Sequence, residues 1–288
     1  MSHEAFLLIV IGALCHAWWN ALAKKVAGGL PFVWLFGLVS LTVALPVGLP
    51  LLIEGAGQLN ALAWLAIVAS ALIHLGYSLV LQKGYQVSDF SIVYPLARGS
   101  GPLFAVFGAI LVLGEMPSLL GWIGIVTILL GVFLIAGANR LLAGGPAVLP
   151  GVYWGCLTGL FIAAYTVLDG WVVKGLGVAP VLYYVLVLAL RTFILAPQAL
   201  RQRPALLSLW GSKRREIIAV GILSPLAYIL VLFAMTRAPL SYVAPIRELS
   251  MLIGLIIGAR FLRETLSATR LIGTGLMISV VVCLLFAR

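Results

Sequence analysis

The chain has 288 residues, of which 63% are hydrophobic and only 9% are charged. Soluble domains carry about 25% charged residues, so this composition excludes a soluble globular fold. The formal net charge of +10 does not indicate nucleic-acid binding, because the basic residues lie in short loops between apolar runs, a placement typical of membrane proteins.

Ten apolar runs have about the length of 20 residues that a helix needs to cross the hydrocarbon. They end at Gly, Pro or charged clusters, and the connections between them are short. In chain order the predicted spans are 5–23, 31–53, 61–83, 90–113, 117–137, 150–172, 179–200, 216–236, 240–261 and 267–286. The sequence therefore predicts an all-α integral membrane protein with ten transmembrane helices, embedded in the lipid bilayer of the plasma (bacterial inner) membrane.

A short motif occurs twice, about half the chain apart. The first copy, Ser91–Ser100, reads SIVYPLARGS and precedes Glu115. The second copy, Ser241–Ser250, reads SYVAPIRELS and precedes Glu264. This spacing predicts an internal repeat, with each copy of the motif at the start of the fourth span of its half.

The two halves are residues 1–145 and 146–288, each with five spans, within one integral membrane domain. An odd number of spans per half places the halves in opposite orientations, so we expect two inverted five-helix repeats around a central cavity. Halves that rock about a site near the membrane midplane are common in transporters, and this arrangement therefore favours transport of a small molecule by alternating access.

Polar side chains are costly at membrane depth and usually face the interior of a helix bundle. Here they lie at helical spacings on spans 1, 3, 4, 6, 8 and 9, whereas spans 2, 5 and 10 are nearly plain apolar. The pattern predicts six helices that line the cavity. The candidate substrate-binding residues are His16, Trp19, Asn20, His74, Tyr77, Ser78, Tyr94, Arg98, Tyr165, Asp169, Tyr228, Tyr242, Arg247 and Glu248.

Two prolines near the starts of spans 4 and 9, Pro95 and Pro245, are candidate hinge or gating positions, because proline leaves a backbone carbonyl without its helical partner. Other polar residues also have a structural interpretation. Histidines on spans 1 and 3 can donate hydrogen bonds between helices, and Arg247 and Glu248 can form ion pairs with other helices. Arg191, inside span 7, has no polar stripe around it, and pairing with a carboxylate such as Asp169 is one interpretation.

Ten spans in two halves, the sequence Ala17-Trp-Trp-Asn20, and the Ser-x-x-x-Pro element followed by Glu115 and by Glu264 resemble the drug/metabolite transporter (DMT) superfamily. Within it, the chain is most similar to EamA-type ten-helix exporters of the amino-acid and metabolite branch. The likeness covers nearly the whole chain, and the order and doubling of the motifs are more specific than any single one. The resemblance implies export of small metabolites through a cavity between spans 1, 3, 4, 6, 8 and 9, and cytoplasmic termini.

The residues also indicate a substrate class. Arg98, and in second place Arg247, offers a planar cation for a carboxylate, and the candidate tyrosines offer flat apolar faces. We therefore expect an amino acid, with aromatic or other apolar ones favoured, and place the carboxylate on Arg98. The main alternative is a proton-coupled exporter of drugs or cations, and a distant one is an intramembrane enzyme or channel. We expect a monomer or weak homodimer without cofactor, metal or nucleic acid.

Energy coupling depends on which carboxylates lie at membrane depth. Small multidrug members of the superfamily exchange protons on a glutamate of the first helix, but span 1 here has no carboxylate. Only Asp169 and Glu248 are placed deep enough, and both have basic neighbours in the sequence with which they can pair, Lys174 for Asp169 and Arg247 for Glu248. Paired carboxylates are poor proton carriers. The sequence therefore predicts facilitated transport without obligatory proton coupling.

The orientation is predicted from the distribution of Lys and Arg. Loops that follow odd-numbered spans hold twelve of them, whereas the opposite face holds only Lys174, Arg237 and Arg288. If the positive-inside rule governs insertion, a reporter fused after Arg288 will read outside and one inserted near Lys213 will read cytoplasmic. The measurement is paired reporter activity, one active only outside and one only in the cytoplasm. A cytoplasmic reading at Arg288 would instead support the topology that the family resemblance implies.

Overall fold

A computed structural model describes residues 3–26, 28–88, 90–136, 149–250 and 268–286. Within these ranges the regular secondary structure is helical, and the ten α-helices correspond in order to the ten predicted spans. They are α1 His3–Val26, α2 Gly29–Gly55, α3 Ala61–Val87, α4 Phe90–Leu113, α5 Leu119–Ala136, α6 Leu149–Lys174, α7 Pro180–Leu200, α8 Arg203–Arg237, α9 Leu240–Ile246 and α10 Ala268–Phe286. The predicted boundary between the halves, at 145 and 146, lies outside the described residues.

The outer surface of the bundle is apolar, as a lipid-facing surface must be. Six helices of the described ranges, α2, α3, α4, α6, α7 and α8, are long and apolar enough to cross a membrane. Large hydrophobic side chains point outward from the bundle, among them Leu111 at 83% exposure and Ile53 at 77%. Lipid is as apolar as these side chains, so their exposure carries no cost there, whereas in water it would favour aggregation.

Helices of the first half pack mainly on helices of the second half. The contacting pairs include α4 with α6, α1 with α8, α3 with α6 and α2 with both α7 and α8. Glycines allow α4 and α6 to approach closely: a side chain at Gly155 would meet the carbonyl oxygen of Val93, and one at Gly159 would meet the backbone nitrogen of Gly101. Small residues serve the same purpose in other membrane helix pairs. Groups on α3, α4 and α6 are thereby placed in one interior.

The stretch from Arg201 to Arg215, predicted as a polar break, is largely helical. Helix α8 begins at Arg203, and its backbone departs from helical geometry at Lys213, with φ −130° and ψ 20°. Leu206 is buried and Leu209 packs against the apolar cluster around Phe32, so the segment before the kink is held to the bundle by one face. The charged residues indicated a loop because charged side chains are excluded from the hydrocarbon. A helix that lies beside the membrane can carry them without this desolvation cost.

Helix α9 is interrupted just after its proline. It ends at Ile246, and Arg247 and Glu248 form a turn before the chain is helical again at Leu249 and Ser250. The turn is closed by hydrogen bonds from the Glu248 amide to the Pro245 carbonyl, at 3.0 Å, and from the Ser250 amide to the Arg247 carbonyl, at 3.2 Å. The remainder of this predicted span, 251–261, lies outside the described residues. The interruption places two ionisable side chains in the bundle interior.

The loop between α4 and α5 caps a helix of the other half. Glu115 accepts the backbone N–H of Leu240 at 2.7 Å and that of Ser241 at 2.8 Å, and the Lys174 ammonium lies 3.6 Å from the same carboxylate. The N-terminal N–H groups of a helix have no partner within it, and a carboxylate there is also favoured by the helix dipole. Glu115 therefore ties the start of α9 to the ends of α4 and α6.

We predict that Glu115→Ala lowers the free energy of unfolding by about 1–2 kcal/mol, because two N–H groups lose their acceptor. Glu115→Gln will lose less, since its single oxygen still accepts one of these bonds. The measurement is thermal unfolding in detergent, with the exposed Glu54 at the end of α2 changed to Ala as the matched control. Equal melting temperatures for Glu115→Ala and Glu54→Ala would show that this cap does not stabilise the fold.

Candidate functional site

A fully buried carboxylate, that of Asp169 on α6, lies among helices of both halves. Its Oδ1 accepts hydrogen bonds from the Ser70 hydroxyl of α3, at 2.7 Å, and from the Tyr183 hydroxyl of α7. Its Oδ2 accepts a hydrogen bond from the hydroxyl of Tyr228 on α8. A charge in a dry interior is tolerated only when hydrogen bonds replace its hydration, and three hydroxyls do so here.

His74 on α3 lies beside this carboxylate. Its Nδ1 is 2.9 Å from the carbonyl oxygen of Ser70, one helical turn earlier, and its Nε2 is 3.9 Å from Asp169 Oδ2. The imidazole stacks on the ring of Tyr165, with centroids 4.1 Å apart, and meets Tyr228 edge-on at 5.9 Å. These groups, with Tyr184 at 6.0 Å from Tyr228, form an aromatic wall next to Asp169.

A second buried cluster carries excess positive charge. Arg98 on α4 donates a hydrogen bond to the Ser250 hydroxyl at 2.8 Å and forms an ion pair with Glu248 at 2.9 Å. Arg247 lies farther from the same carboxylate, with its Nε 3.9 Å from Glu248 Oε1. Each of these four residues is at most 7% exposed. Two guanidinium groups thus face one carboxylate.

The excess charge resides on Arg247. Its Nε and Nη2 are buried and have no hydrogen-bond partner among the described residues. An unsatisfied buried donor costs about 1–3 kcal/mol, and a charged one costs more. Such groups are rare in stable interiors, and they are expected where a ligand completes the hydrogen bonding. Arg247 is therefore a group of this cluster with donors available to a ligand.

Tyr165 lies within electrostatic range of both clusters, that is, of Asp169 and of Arg98, Arg247 and Glu248. His16 on α1 is also within range of both arginines. Since α3 and α4 belong to the first half and α6, α8 and α9 to the second, the two clusters are built from helices of both halves.

Other predicted residues lie at the margin of this site. The ring of His16 is half-buried and meets Trp19 edge-on at 5.1 Å. Tyr77 is half-buried and meets Tyr165 edge-on at 5.8 Å. The Ser78 hydroxyl donates to the His74 carbonyl oxygen at 2.9 Å, so it is engaged within its own helix.

Tyr242 is partly buried and packs against the large apolar core. Pro245 is buried in the last turn of α9, directly before the turn that carries Arg247. The side chains of Asn20, Tyr94 and Pro95 lie outside the described residues, although their backbones belong to α1 and α4. A binding or hinge role for these five residues stays a prediction.

Three residues that bond to the charged groups did not appear among the sequence candidates. Ser70 lies one turn before His74, so an extension of the span 3 stripe would have found it. Ser250 closes the second copy of the repeated motif, which is also a usable signal. Tyr183 gave no such signal, because the hydroxyl groups of the largely apolar helix α7 lie on Tyr183, Tyr184 and Thr192 and do not follow the spacing of three or four residues that marks one helix face. The site therefore includes a helix beyond the six that were predicted.

Two predicted pairings are different in the structure. Lys174 pairs with Glu115 at 3.6 Å and not with Asp169. It lies five residues after Asp169 on α6, and this spacing places the two side chains on different faces of the helix. Arg191 is half-buried and lies within electrostatic range of His74 and Tyr184, while Asp169 is bonded to hydroxyl groups. The compensation of Asp169 thus comes from hydroxyl dipoles, with His74 as its nearest described basic partner.

Comparison with known proteins gives the family. The model of the EamA-like transporter family matches residues 3–137 and again 149–286, one match in each predicted half. One solved structure, described only as "Crystal structure of protein", has a TM-score of 0.75 at 18% sequence identity over 100% of this chain and 99% of its own, which shows a shared fold. No curated protein is significantly similar. The two family matches cover nearly the whole chain and confirm the all-α fold of two five-helix repeats, so the chain belongs to the EamA-like transporter family, within the drug/metabolite transporter superfamily.

Proposed function

We propose that this protein exports small metabolites that carry a carboxylate, most favourably amino acids with aromatic or apolar side chains, by alternating access across the plasma (bacterial inner) membrane. The observation that carries this proposal is Arg247, a buried guanidinium with two donor nitrogens that lack a hydrogen-bond partner in the described structure. A planar fork of N–H donors matches the two oxygens of a carboxylate. Membership of a transporter family favours this function over that of an intramembrane enzyme or a channel.

Arg247 takes the role that the sequence suggested first for Arg98. The Arg98 guanidinium already contacts Glu248 and Ser250, at 2.9 Å and 2.8 Å, and so positions the turn after α9. A substrate carboxylate would have to compete with Glu248 for Arg98, whereas Arg247 lies 3.9 Å from Glu248 and retains unused donors. The aromatic rings of Tyr165 and Tyr228 supply the apolar surface for the body of the substrate.

The alternative function, proton-coupled export of drugs or cations, has less support from the site. A cationic substrate needs a carboxylate whose charge is not already compensated. Asp169 accepts bonds from three hydroxyls, and Glu248 faces two arginines. Since neither of these two carboxylates is uncompensated, a hydrophobic cation at this site would depend on aromatic faces, worth about 0.5–2 kcal/mol each.

We predict that Arg247→Lys slows counterflow of radiolabelled L-phenylalanine in proteoliposomes by roughly tenfold, equivalent to the loss of about 1.5 kcal/mol of charge-assisted hydrogen bonding. The melting temperature will stay close to that of the wild type. Arg98→Lys will lower the melting temperature, because it breaks contacts with both Glu248 and Ser250. Arg201→Lys, at an exposed position, is the matched control. Normal counterflow in a well-folded Arg247→Ala protein would rule out this carboxylate site.

The same contacts support facilitated transport. A proton-coupled carrier must protonate and release a carboxylate in each cycle, and the carboxylate must reach both sides of the membrane in turn. At Asp169 a proton would remove the charge that strengthens the three accepted hydrogen bonds, and at Glu248 it would leave two guanidinium groups without a counter-charge. We therefore propose that the substrate moves down its own gradient, out of a cytoplasm in which metabolites accumulate.

We predict that an imposed pH gradient changes L-phenylalanine flux into proteoliposomes by less than about twofold, since no net proton movement accompanies transport. The measurement is initial uptake with and without the gradient, with a protonophore as control for its integrity. Stimulation of several-fold that disappears in Asp169→Asn or Glu248→Gln would instead make the protein a proton antiporter.

A further inference from the structure

We infer that the ion pair of Arg98 and Glu248 lies on the pseudo-two-fold axis between the two repeats, and that it persists through the transport cycle while its serine partner changes. In the present state Arg98 donates a hydrogen bond to Ser250. In the oppositely open state Glu248 accepts a hydrogen bond from Ser100 instead. The inference needs only a transporter built from two inverted repeats, and it does not depend on the substrate proposed above.

The two copies of the repeated motif align without a gap. The residues that are identical in both copies are Ser91 and Ser241, Val93 and Val243, Pro95 and Pro245, and Ser100 and Ser250. Both valines are 0% exposed, so the two copies also have similar surroundings. In the same register Arg98 is equivalent to Glu248. The two partners of the 2.9 Å ion pair therefore come from one and the same position of the repeat.

The packing of the helices is consistent with a two-fold relation between the repeats. Under this relation α1 to α5 are equivalent, in order, to α6 to α10. Helices contact their own equivalents at α2 with α7, α4 with α9 and α5 with α10, and the contact of α1 with α8 has its equivalent in that of α3 with α6. Elements that contact their own equivalents lie beside the axis. The axis therefore passes close to Arg98 on α4 and to Glu248 in the turn after α9.

A contact between equivalent residues has a special property when the repeats exchange conformations. In a transporter with inverted repeats, one open state is obtained from the other when each repeat adopts the conformation of its partner. A pair of equivalent residues is then converted into itself, so its separation is the same in both states. Any other contact is replaced by its equivalent between the opposite halves. The Arg98–Glu248 pair is of the first kind, and the Arg98–Ser250 hydrogen bond is of the second.

The partner that the exchange supplies is chemically suited to its role. The equivalent of the bond between Arg98 and Ser250 is a bond between Glu248 and Ser100. A serine hydroxyl can accept a hydrogen bond from a guanidinium and can equally donate one to a carboxylate. Both oxygens of Glu248 are buried and, beyond the contacts with the two arginines, have no hydrogen-bond partner in the described part of the chain. Ser100 donates at present to the Leu96 carbonyl oxygen of its own helix.

The backbones of the two copies are in different conformations. The first copy is helical through Arg98 and Ser100, within α4. The second copy is interrupted at Arg247 and Glu248, directly after α9. Two halves in the same conformation would have nothing to exchange. The difference between the copies is therefore what the exchange requires, and it lies at the residues that the exchange involves.

The test measures the populations of the two open states in the absence of substrate. Spin labels at the exposed positions Lys83 and Arg201 report the separation of the halves on one side of the membrane, and labels at the exposed positions Gln58 and Thr236 report it on the other. The distances are measured by pulsed electron paramagnetic resonance in lipid nanodiscs, in a background without the native cysteines. Opening on one side lengthens one distance and shortens the other, so the two label pairs together give the population ratio.

The serine variants are expected to shift this ratio in opposite directions. Ser250→Ala removes a charge-assisted hydrogen bond from the present state only, and Ser100→Ala removes its equivalent from the exchanged state only, so each changes the ratio by about tenfold. The double variant is expected to return to within about twofold of the wild-type ratio, because the two effects cancel. Ser212→Ala is the matched control, since this hydroxyl also donates to a carbonyl oxygen one turn earlier in its own helix.

Glu248→Gln separates the pair on the axis from its exchanging partners. It weakens the ion pair in both states, whereas the amide oxygen still accepts from Ser100 and Arg98 still donates to Ser250. We expect a lower melting temperature and a population ratio within about twofold of the wild type, because both states are destabilised alike.

The outcomes decide between exchange and a fixed structural role. The exchange is wrong if Ser100→Ala and Ser250→Ala shift the ratio in the same direction, or if neither differs from Ser212→Ala. The position on the axis is wrong if folded Glu248→Gln shifts the ratio as strongly as Ser250→Ala. If Glu248→Gln fails to fold, the serine variants, which keep the ion pair, decide the result. Absence of L-phenylalanine counterflow would contradict the proposed function and leave this inference unaffected, because the distances are measured without substrate.

Discussion

A carboxylate in the middle of a lipid-embedded bundle must be compensated by the protein itself, because no water is available there. Asp169 meets this requirement through Ser70, Tyr183 and Tyr228, which lie on three different helices around α6. The alternative, an unpaired charge in a dry interior, costs several kcal/mol even after relaxation. The positions of α3, α7 and α8 around α6 are therefore tied to one side chain, and the aromatic wall on the same helices follows from that arrangement.

The two halves are also joined around α9. Glu115 of the first half contacts the start of α9, and Arg98 and Glu248 join α4 to the turn after α9. The first contact therefore ends on a helix of seven residues, and the second on the turn that follows it. This short segment of the second half is held at both ends by side chains of the first half.

The spans and most site residues could be predicted from the sequence, because both depend on local pattern. Apolar runs marked the helices, and helical spacing of polar residues marked His74, Asp169 and Arg247. The start of α8 was missed because the charges between Arg201 and Arg215 resemble a loop, although helix formation beside the membrane tolerates them. Tyr183 was missed because the few hydroxyl groups of the largely apolar α7 do not repeat at helical spacing. Which of Arg98 and Arg247 pairs closely with Glu248 was also inaccessible, since it depends on the positions of the two guanidinium groups in three dimensions.

The two buried carboxylates are compensated in different ways. Asp169 accepts hydrogen bonds from three hydroxyl groups, whereas Glu248 lies near two guanidinium groups, of which Arg247 has two donor nitrogens without a hydrogen-bond partner in the described structure. Neutral hydroxyl groups add no charge to the interior, while the second guanidinium leaves the turn after α9 with an excess of positive charge. An anionic group at this turn would therefore meet a buried cation with unused donors, and this is the basis of the proposal that the site binds a carboxylate.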